Sequence, residues 1–148
     1  RDAVQRRFGD KLDFTVSAAY NDSELEGSLD PALNGKQLVE TPEWTYAARL
    51  GFKPTEDLNM ALQAKHTGDR FGTDNNDEVA DAFTVIDLDA AWTFQVAAFD
   101  SAQIQLNVTN LLDEEYFGNI SSGTGGTSVA FYSIGAPRTV TASFKFEF

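Results

Sequence analysis

Residues able to do chemistry are few in this chain, and their spacing argues against most of what they could do. The densest group is Asp74-Asn-Asn-Asp77-Glu78, with Asp69 and Asp81 nearby, which offers enough oxygens for a calcium ion. An EF-hand loop needs glycine at its sixth position and glutamate at its twelfth. Counted from Asp74, the sixth position is not glycine and the twelfth is Val85. A solvated acidic surface loop is the better reading. His66 is the only histidine and has no Cys, Asp or Glu at ligand spacing on its own face, so it reads as an interfacial residue. The run Ser121-Ser-Gly-Thr-Gly-Gly126 resembles a phosphate cradle, but no lysine and no helical pattern follows it. It reads as a flexible loop. Tyr116, Phe117, Phe131 and Tyr132 beside it either line a substrate entrance or extend a belt of aromatics. Asn107-Val-Thr109 and Asn119-Ile-Ser121 match glycosylation sequons without further support. No nucleophile–base pair or carboxylate dyad stands out, so neither catalysis nor a resident cofactor or metal is expected.

The charge of −12 excludes the basic footprint that nucleic-acid binding needs. There is no cysteine, which removes disulfides and thiolate metal sites and suits export through an oxidising compartment. No run approaches the roughly 18 consecutive apolar residues of a membrane helix, and Arg1–Asp10 has no apolar stretch of the signal-peptide kind. Hydropathy alone would label the chain a soluble acidic protein. A membrane β-barrel, however, hides its apolar residues in alternation.

Alternation is what the elements show. In Gly135–Phe148 the even positions Ala136, Val140, Ala142, Phe144, Phe146 and Phe148 are apolar, with Arg138 the exception, while the odd positions are mostly polar. Side chains alternate across a strand, so this is one strand with an apolar and a polar face. The same pattern predicts strands at Leu12–Tyr20, Trp44–Lys53, Leu58–Thr67, Phe83–Val96 and Gln103–Leu112, making about six, while Arg1–Lys11 is polar and ends in a Gly9-Asp10 turn. Each strand is about nine to fourteen residues long, the reach of a tilted membrane strand rather than of an ordinary globular one. Connections alternate long and short, the short ones at Pro54–Asp57 and around Asp100-Ser101, and the acidic and Gly/Ser-rich segments fall in long ones. Long loops at one end and tight turns at the other is the layout of an outer-membrane meander.

Depth supports it. Threaded this way, the polar exceptions on the apolar face, His66, Thr84, Asn110 and Arg138, all fall at the long-loop ends of their strands. There a charge costs about 0–1 kcal/mol rather than about 2–4 at the midplane. Tyr20, Trp44 and Tyr46 fall at that same end; Phe14, Phe52, Trp92, Phe94, Phe144, Phe146 and Phe148 fall toward the other, as two interfacial girdles would. Polar-face charges such as Asp13, Arg49, Lys53, Lys65, Asp87, Asp89, Lys145 and Glu147 are left to pair with one another or with something inside the cylinder. A small passive outer-membrane barrel or adhesin, and a soluble β-sandwich binding carbohydrate, remain alternatives on this pattern.

Two stretches carry a family resemblance. Val108-Thr-Asn110-Leu111-Leu112-Asp113-Glu-Glu-Tyr116-Phe resembles the penultimate-strand motif of TonB-dependent outer-membrane receptors, and Gly135-Ala-Pro137-Arg138-Thr-Val140, running to Phe148, resembles their last strand. Gly35–Pro42 followed by an aromatic strand, and Val85-Ile-Asp87-Leu88, look similar too. The resemblance implies that residues 1–148 form the C-terminal part of a barrel of about 22 strands with a plugged lumen. Such receptors import ferric siderophores, vitamin B12 or saccharides with energy from the inner-membrane TonB complex. The plug, and the TonB box that would contact that complex, have no counterpart in this sequence. The implied partners are outer-membrane lipid, the remaining strands and plug of the same receptor, TonB through a region outside this chain, and the barrel-assembly machinery. That machinery would read a terminal aromatic signal, here Phe144, Phe146 and Phe148. The implied location is the outer membrane of a Gram-negative bacterium, with long loops extracellular and the C-terminus periplasmic.

Overall fold

A computed structural model describes residues 2–97, 99–122 and 129–147. A seven-stranded antiparallel sheet runs through it in sequence order. Its strands are β1 (Asp2–Phe8), β2 (Leu12–Tyr20), β3 (Trp44–Phe52), β4 (Leu58–Thr67), β7 (Phe83–Val96), β8 (Phe99–Thr109) and β11 (Thr139–Glu147). The long connections carry two hairpins of their own, β5 (Arg70–Phe71) with β6 (Val79–Ala80), and β9 (Phe117–Ser122) with β10 (Ala130–Ile134). The single 3-10 turn among the described residues, Pro31–Leu33, is capped by Asp30, whose carboxylate accepts the Ala32 N–H at 3.0 Å. The sheet is one layer, not the two packed layers of a sandwich.

Parity holds across the pairings of the large sheet except at one bulge, where Val96 meets Phe99. Leu12 faces Phe52, Leu50 faces Leu62, Leu88 faces Val108, and Val108 faces Val140. Away from that bulge the even-numbered side chains of the strands share one face, and from β2 onward it is the apolar one. One cross-strand row runs Arg6, Phe14, Leu50, Leu62, Leu88, Val108, Val140. It begins beside the turn at the foot of β1 and ends at the opposite end of β11. Each strand is thus displaced along its neighbour in one sense, the stagger that a cylinder of tilted strands requires.

Several sequence-based boundaries move. The polar N-terminal stretch is strand β1, joined to β2 by a turn in which Gly9 takes a φ of +65° that a side chain would resist. β8 starts earlier than expected: Asp100 and Ser101 belong to the strand, and Ser101 pairs with Glu147. It also ends earlier, because Asn110 has a φ of +52° and leaves the strand conformation. β11 starts at Thr139, since Gly135–Arg138 are occupied with the neighbouring loop. β3 ends at Phe52, one residue short of Lys53. Buried side chains are sparse in the sheet (Ala61, Ala102, Val108) and otherwise lie at its long-loop end (Asn110, Arg70, Thr73, Ala80, Ile120).

A candidate functional site at the long-loop end

The exit of β8 and the entry of β11 meet in a joint built on one amide. Asn110 is 2% exposed, and the left-handed backbone it adopts is one that Asn tolerates better than most residues. Its Nδ2 donates to the carbonyls of Glu114 (2.9 Å) and Ala136 (3.0 Å), and its Oδ1 accepts the Glu114 N–H at 2.8 Å. Its backbone N–H donates to Asp87 Oδ1 at 2.9 Å, and the next, Leu111 N–H, to the Ile86 carbonyl at 2.6 Å. Every polar atom of this buried side chain is satisfied. Asn110 is therefore not a residue of the apolar face, as parity alone placed it; its positive φ turns it into the joint.

Asp113 and Arg138 close the other side. Asp113 also has positive φ (+59°); its Oδ1 accepts the Arg138 N–H at 2.9 Å, and its Oδ2 meets Arg138 Nη2 at 3.5 Å. Arg138 Nη1 donates to the Leu111 carbonyl at 3.4 Å. Half-exposed, this ion pair is worth no more than about 1 kcal/mol. Its value is in register, since it holds the two ends of a long loop together. Leu112 points to solvent at 65% exposure.

Next to the joint stands a column of rings. Tyr116 stacks on Phe83 at 4.2 Å between centroids, and the Arg70 guanidinium carbon lies over the same Phe83 ring, 5.3 Å from its centroid. Gly135 donates its N–H to the Tyr116 carbonyl at 2.7 Å, and a Cβ on Gly135 would overlap the Tyr116 ring. Glycine is required there by contact, not by dihedral. A cavity of about 640 Å³ opens against this column, lined by Asp81, Phe83, Glu114, Glu115, Tyr116 and Pro137 among others. Its rim is acidic and its rings are engaged by protein, so what it offers a ligand is ring edges and carboxylate oxygens.

Of the four loop aromatics, the structure brings two into ring contact with each other. Phe117 meets Tyr132 at 4.8 Å, while Tyr116 pairs with Phe83 instead. Tyr132 donates its hydroxyl to Glu78 Oε2 at 3.2 Å, and burial, followed by that bond and the Glu78 charge, pushes its phenol above the ordinary tyrosine value. Phe131 is 64% exposed, on the opposite side of β10 from Tyr132. The acidic loop uses its oxygens internally. Thr73 donates to Asp77 at 2.5 Å and the Ala82 N–H to Asp69 at 2.7 Å, and no metal-capable cluster of three such groups occurs among the described residues. His66 Nδ1 lies 3.0 Å from Thr84 Oγ1, at the end of an aromatic file of Tyr20, Trp44 and Tyr46. Phe144 (65% exposed) and Phe146 (49%) project from the even face of β11. Phe148 and Gly123–Gly126 lie outside the described residues.

Residues 3–111 match the family model described as TonB dependent receptor-like, beta-barrel. The chain belongs to this family. Solved structures with the same fold include the siderophore receptor PiuA from Acinetobacter baumannii, with a TM-score of 0.73, 19% identity, 96% of this chain covered and 20% of that one. The ferric-catecholate import receptor Fiu from Escherichia coli K12 gives 0.73 and 21% over 99% of this chain and 20% of its own. The ferric citrate transporter FecA in its unliganded form gives 0.72 and 18% over 91% of this chain and 20% of its own. No curated protein matches the chain by sequence. The chain spans about a fifth of the length of these structures.

Within a TonB-dependent receptor barrel, a protein of the outer membrane, the one-layer sheet and its stagger have a simple reading: they are a sector of cylinder wall. The family match stops at Leu111, so the joint from Asp113 to Arg138 rests on its own geometry and on the shared fold. Missed by sequence reasoning were Arg70, Glu40 and Asn76, which tie one long loop to another. No short-range signal marks them, because their partners lie 39 to 80 residues away.

Proposed function

We propose that this chain is the C-terminal sector of an outer-membrane receptor barrel, residues 1–148 supplying its last strands, and that the whole receptor imports a scarce iron chelate with energy from TonB. The observation that carries the reading is the even-parity face: from β2 to β11 the six long strands are apolar through their middles, with aromatic and polar side chains gathered at the two ends. A water-soluble protein has no use for such a face uncovered. In this reading the face meets lipid, the long loops are extracellular, and the C-terminus is periplasmic. The odd face, with its Asp13–Arg49 pair (3.3 Å), Lys65, Asp87 and Asp89, looks into the lumen and toward a plug domain. TonB engages the receptor through a region outside this chain, and Phe144, Phe146 and Phe148 present the assembly signal to the barrel-assembly machinery. The residues here carry binding and passage, not catalysis.

The iron-chelate assignment is supported by the nature of the structural relatives, a siderophore receptor, a ferric-catecholate import receptor and a ferric citrate transporter. Cobalamin and saccharide are the competing cargoes. Quenching of receptor tryptophan fluorescence in detergent, titrated with ferric catecholates, ferric citrate, cobalamin and maltodextrin, decides between them. Saturable quenching by an iron chelate alone supports the assignment. Binding of cobalamin or sugar alone overturns the cargo and leaves the barrel reading standing. Recovery of the complete receptor from the soluble fraction as a folded protein would overturn both.

A further inference from the structure

We propose that Arg70 is a positioning residue that fuses the three long loops into one cap, so that they respond to a ligand as a single body and not as separate flaps. The functional consequence rests on the uptake reading above; the mechanical statement does not.

Three loops are involved, residues 21–43, residues 68–82, and the described parts of the third, 110–122 and 129–138. Arg70 stands at the start of β5, only 4% exposed. Its Nη2 donates to the Phe117 carbonyl at 2.5 Å and its Nη1 to the Gly118 carbonyl at 3.4 Å, while its plane lies against Phe83. No carboxylate forms an ion pair with it among the described residues. Burying a cation is costly unless its donors are met. Here Nη1 and Nη2 meet two successive backbone carbonyls and the charge lies over a ring, while the buried Nε has no partner, so its position is dictated by main chain at the fork alone. A lysine ammonium is a point charge and lacks the planar fork that spans two carbonyls while stacking on a ring.

The first loop is locked onto the other two by separate bonds. Gln37 and Asn76 exchange a reciprocal pair: Gln37 N–H to Asn76 Oδ1 at 2.8 Å and Asn76 Nδ2 to the Gln37 carbonyl at 3.0 Å. Glu40 donates its N–H to the Phe71 carbonyl, next to Arg70, at 3.0 Å, and its Oε1 accepts the Ile120 N–H, at 3.1 Å, from the third loop. Glu40 has a φ of +62°, an uncommon state for glutamate, which persists only where the surroundings over-determine it. Tyr132 and Glu78 add a further tie between the second and third loops. Thr73, Ala80 and Ile120 are buried at 1–2% exposure, so the cap has a small core of its own. Arg70–Phe71 is the hub: its side chain holds the third loop and its neighbouring carbonyl holds the first.

Amide hydrogen exchange on the complete receptor in nanodiscs tests this without any ligand. Arg70→Ala and Arg70→Lys should each speed exchange across 117–122 and also across 37–41, which Arg70's side chain does not touch, by on the order of tenfold, the change expected from losing one or two hydrogen bonds. Exchange in β2 and β3 should stay as in the wild type. A rise confined to 68–82 and 117–118 overturns the proposal, as does full rescue by lysine. Should the Arg70 variants fail to assemble, Glu40→Ala makes the same test from the opposite side. It should loosen 70–80 and 117–122 together, and a change restricted to residues 40 and 120 overturns the single-body cap. A receptor with an intact cap that took up no iron chelate would count against the uptake reading and not against this one.

Discussion

Replacing Asn110 tests the joint between the last two strands most directly, because one side chain carries it. Asn110→Ala removes two donated bonds and one accepted bond, and each is worth about 0.5–1.5 kcal/mol net. The carbonyls of Glu114 and Ala136 are left with a methyl group opposite them, and a buried group stripped of its partner costs about 1–3 kcal/mol where water cannot enter. Alanine must also take the φ of +52°, which costs an L-residue with a Cβ roughly 1–2 kcal/mol. Some solvent reaches the rim, so the sum is taken at the low end: about 3–4 kcal/mol lost for alanine. Asn110→Gly loses the same bonds but accepts the dihedral, so it should be milder by about 1 kcal/mol. Exchange of the Leu111, Asp113 and Arg138 amides in the complete receptor reads the local loss. Urea unfolding in detergent, followed by tryptophan fluorescence, reads how much reaches the barrel. An alanine variant within about 0.5 kcal/mol of wild type would sink the claim that the buried amide holds the joint. Equal losses for glycine and alanine would remove the dihedral part of the reasoning while leaving the hydrogen bonds.

Three other outcomes are expected. Leu88→Arg, in the middle of β7 between Leu62 and Val108, should cost about 2–4 kcal/mol of folding into vesicles, whereas Thr84→Arg at the long-loop end should cost about 0–1; equal costs would refute the lipid-facing assignment of the even face. Phe148→Ser should lower the outer-membrane level of the complete receptor, and unchanged levels would count against the proposed assembly signal. Tyr132 should ionise above the ordinary tyrosine value, because burial and then Glu78 favour its neutral form. The tie to Glu78 is therefore fully present below that ordinary value and is lost as the pH rises through the raised one, when a phenolate would face a carboxylate. Ultraviolet titration with Tyr132→Phe as the blank should show Glu78→Gln moving the midpoint back down, and no movement would remove Glu78 as a cause.

Alternation made the sheet legible because a period of two survives without knowledge of any partner. Six strands and the sharing of one face could be read from Leu12 onward. β1 escaped because its even positions include Arg6, so only pairing with β2, Val4 against Val16 and Arg6 against Phe14, reveals it as a strand. Strand ends were misplaced where a tertiary bond won over pattern. Asn110 sits at an even position and would extend β8, but partners at Asp87, Glu114 and Ala136 draw it out of the ladder. The motif around Asn110 and Arg138 was visible as a string of letters. Its mechanics were not, since they consist of contacts between segments about 25 residues apart. Arg70 is the extreme case: nothing in Gly68-Asp-Arg-Phe predicts a buried guanidinium, because what buries it is the start of β9.

The distribution of burial explains why the loops, and not the sheet, hold the most determined geometry. A compact monomer of 16.2 kDa exposes roughly 7,500 Å² by the usual scaling of surface with mass, and this chain exposes 10090 Å². The excess is the two faces of a single-layer sheet, neither of which the chain can cover. In the proposed barrel one face meets lipid and the other the lumen, so the sheet residues are specified by partners of low chemical detail: apolar on one side, wet on the other. Substitutions there should be tolerated so long as parity is kept. The joint at Asn110 and the cap around Arg70 are the opposite case. They bury polar groups against named backbone atoms of the same chain, where a wrong residue leaves an unmet donor or acceptor. The geometry that this chain determines by itself is therefore concentrated at the long-loop end, while the wall beneath it answers to whatever covers its two faces.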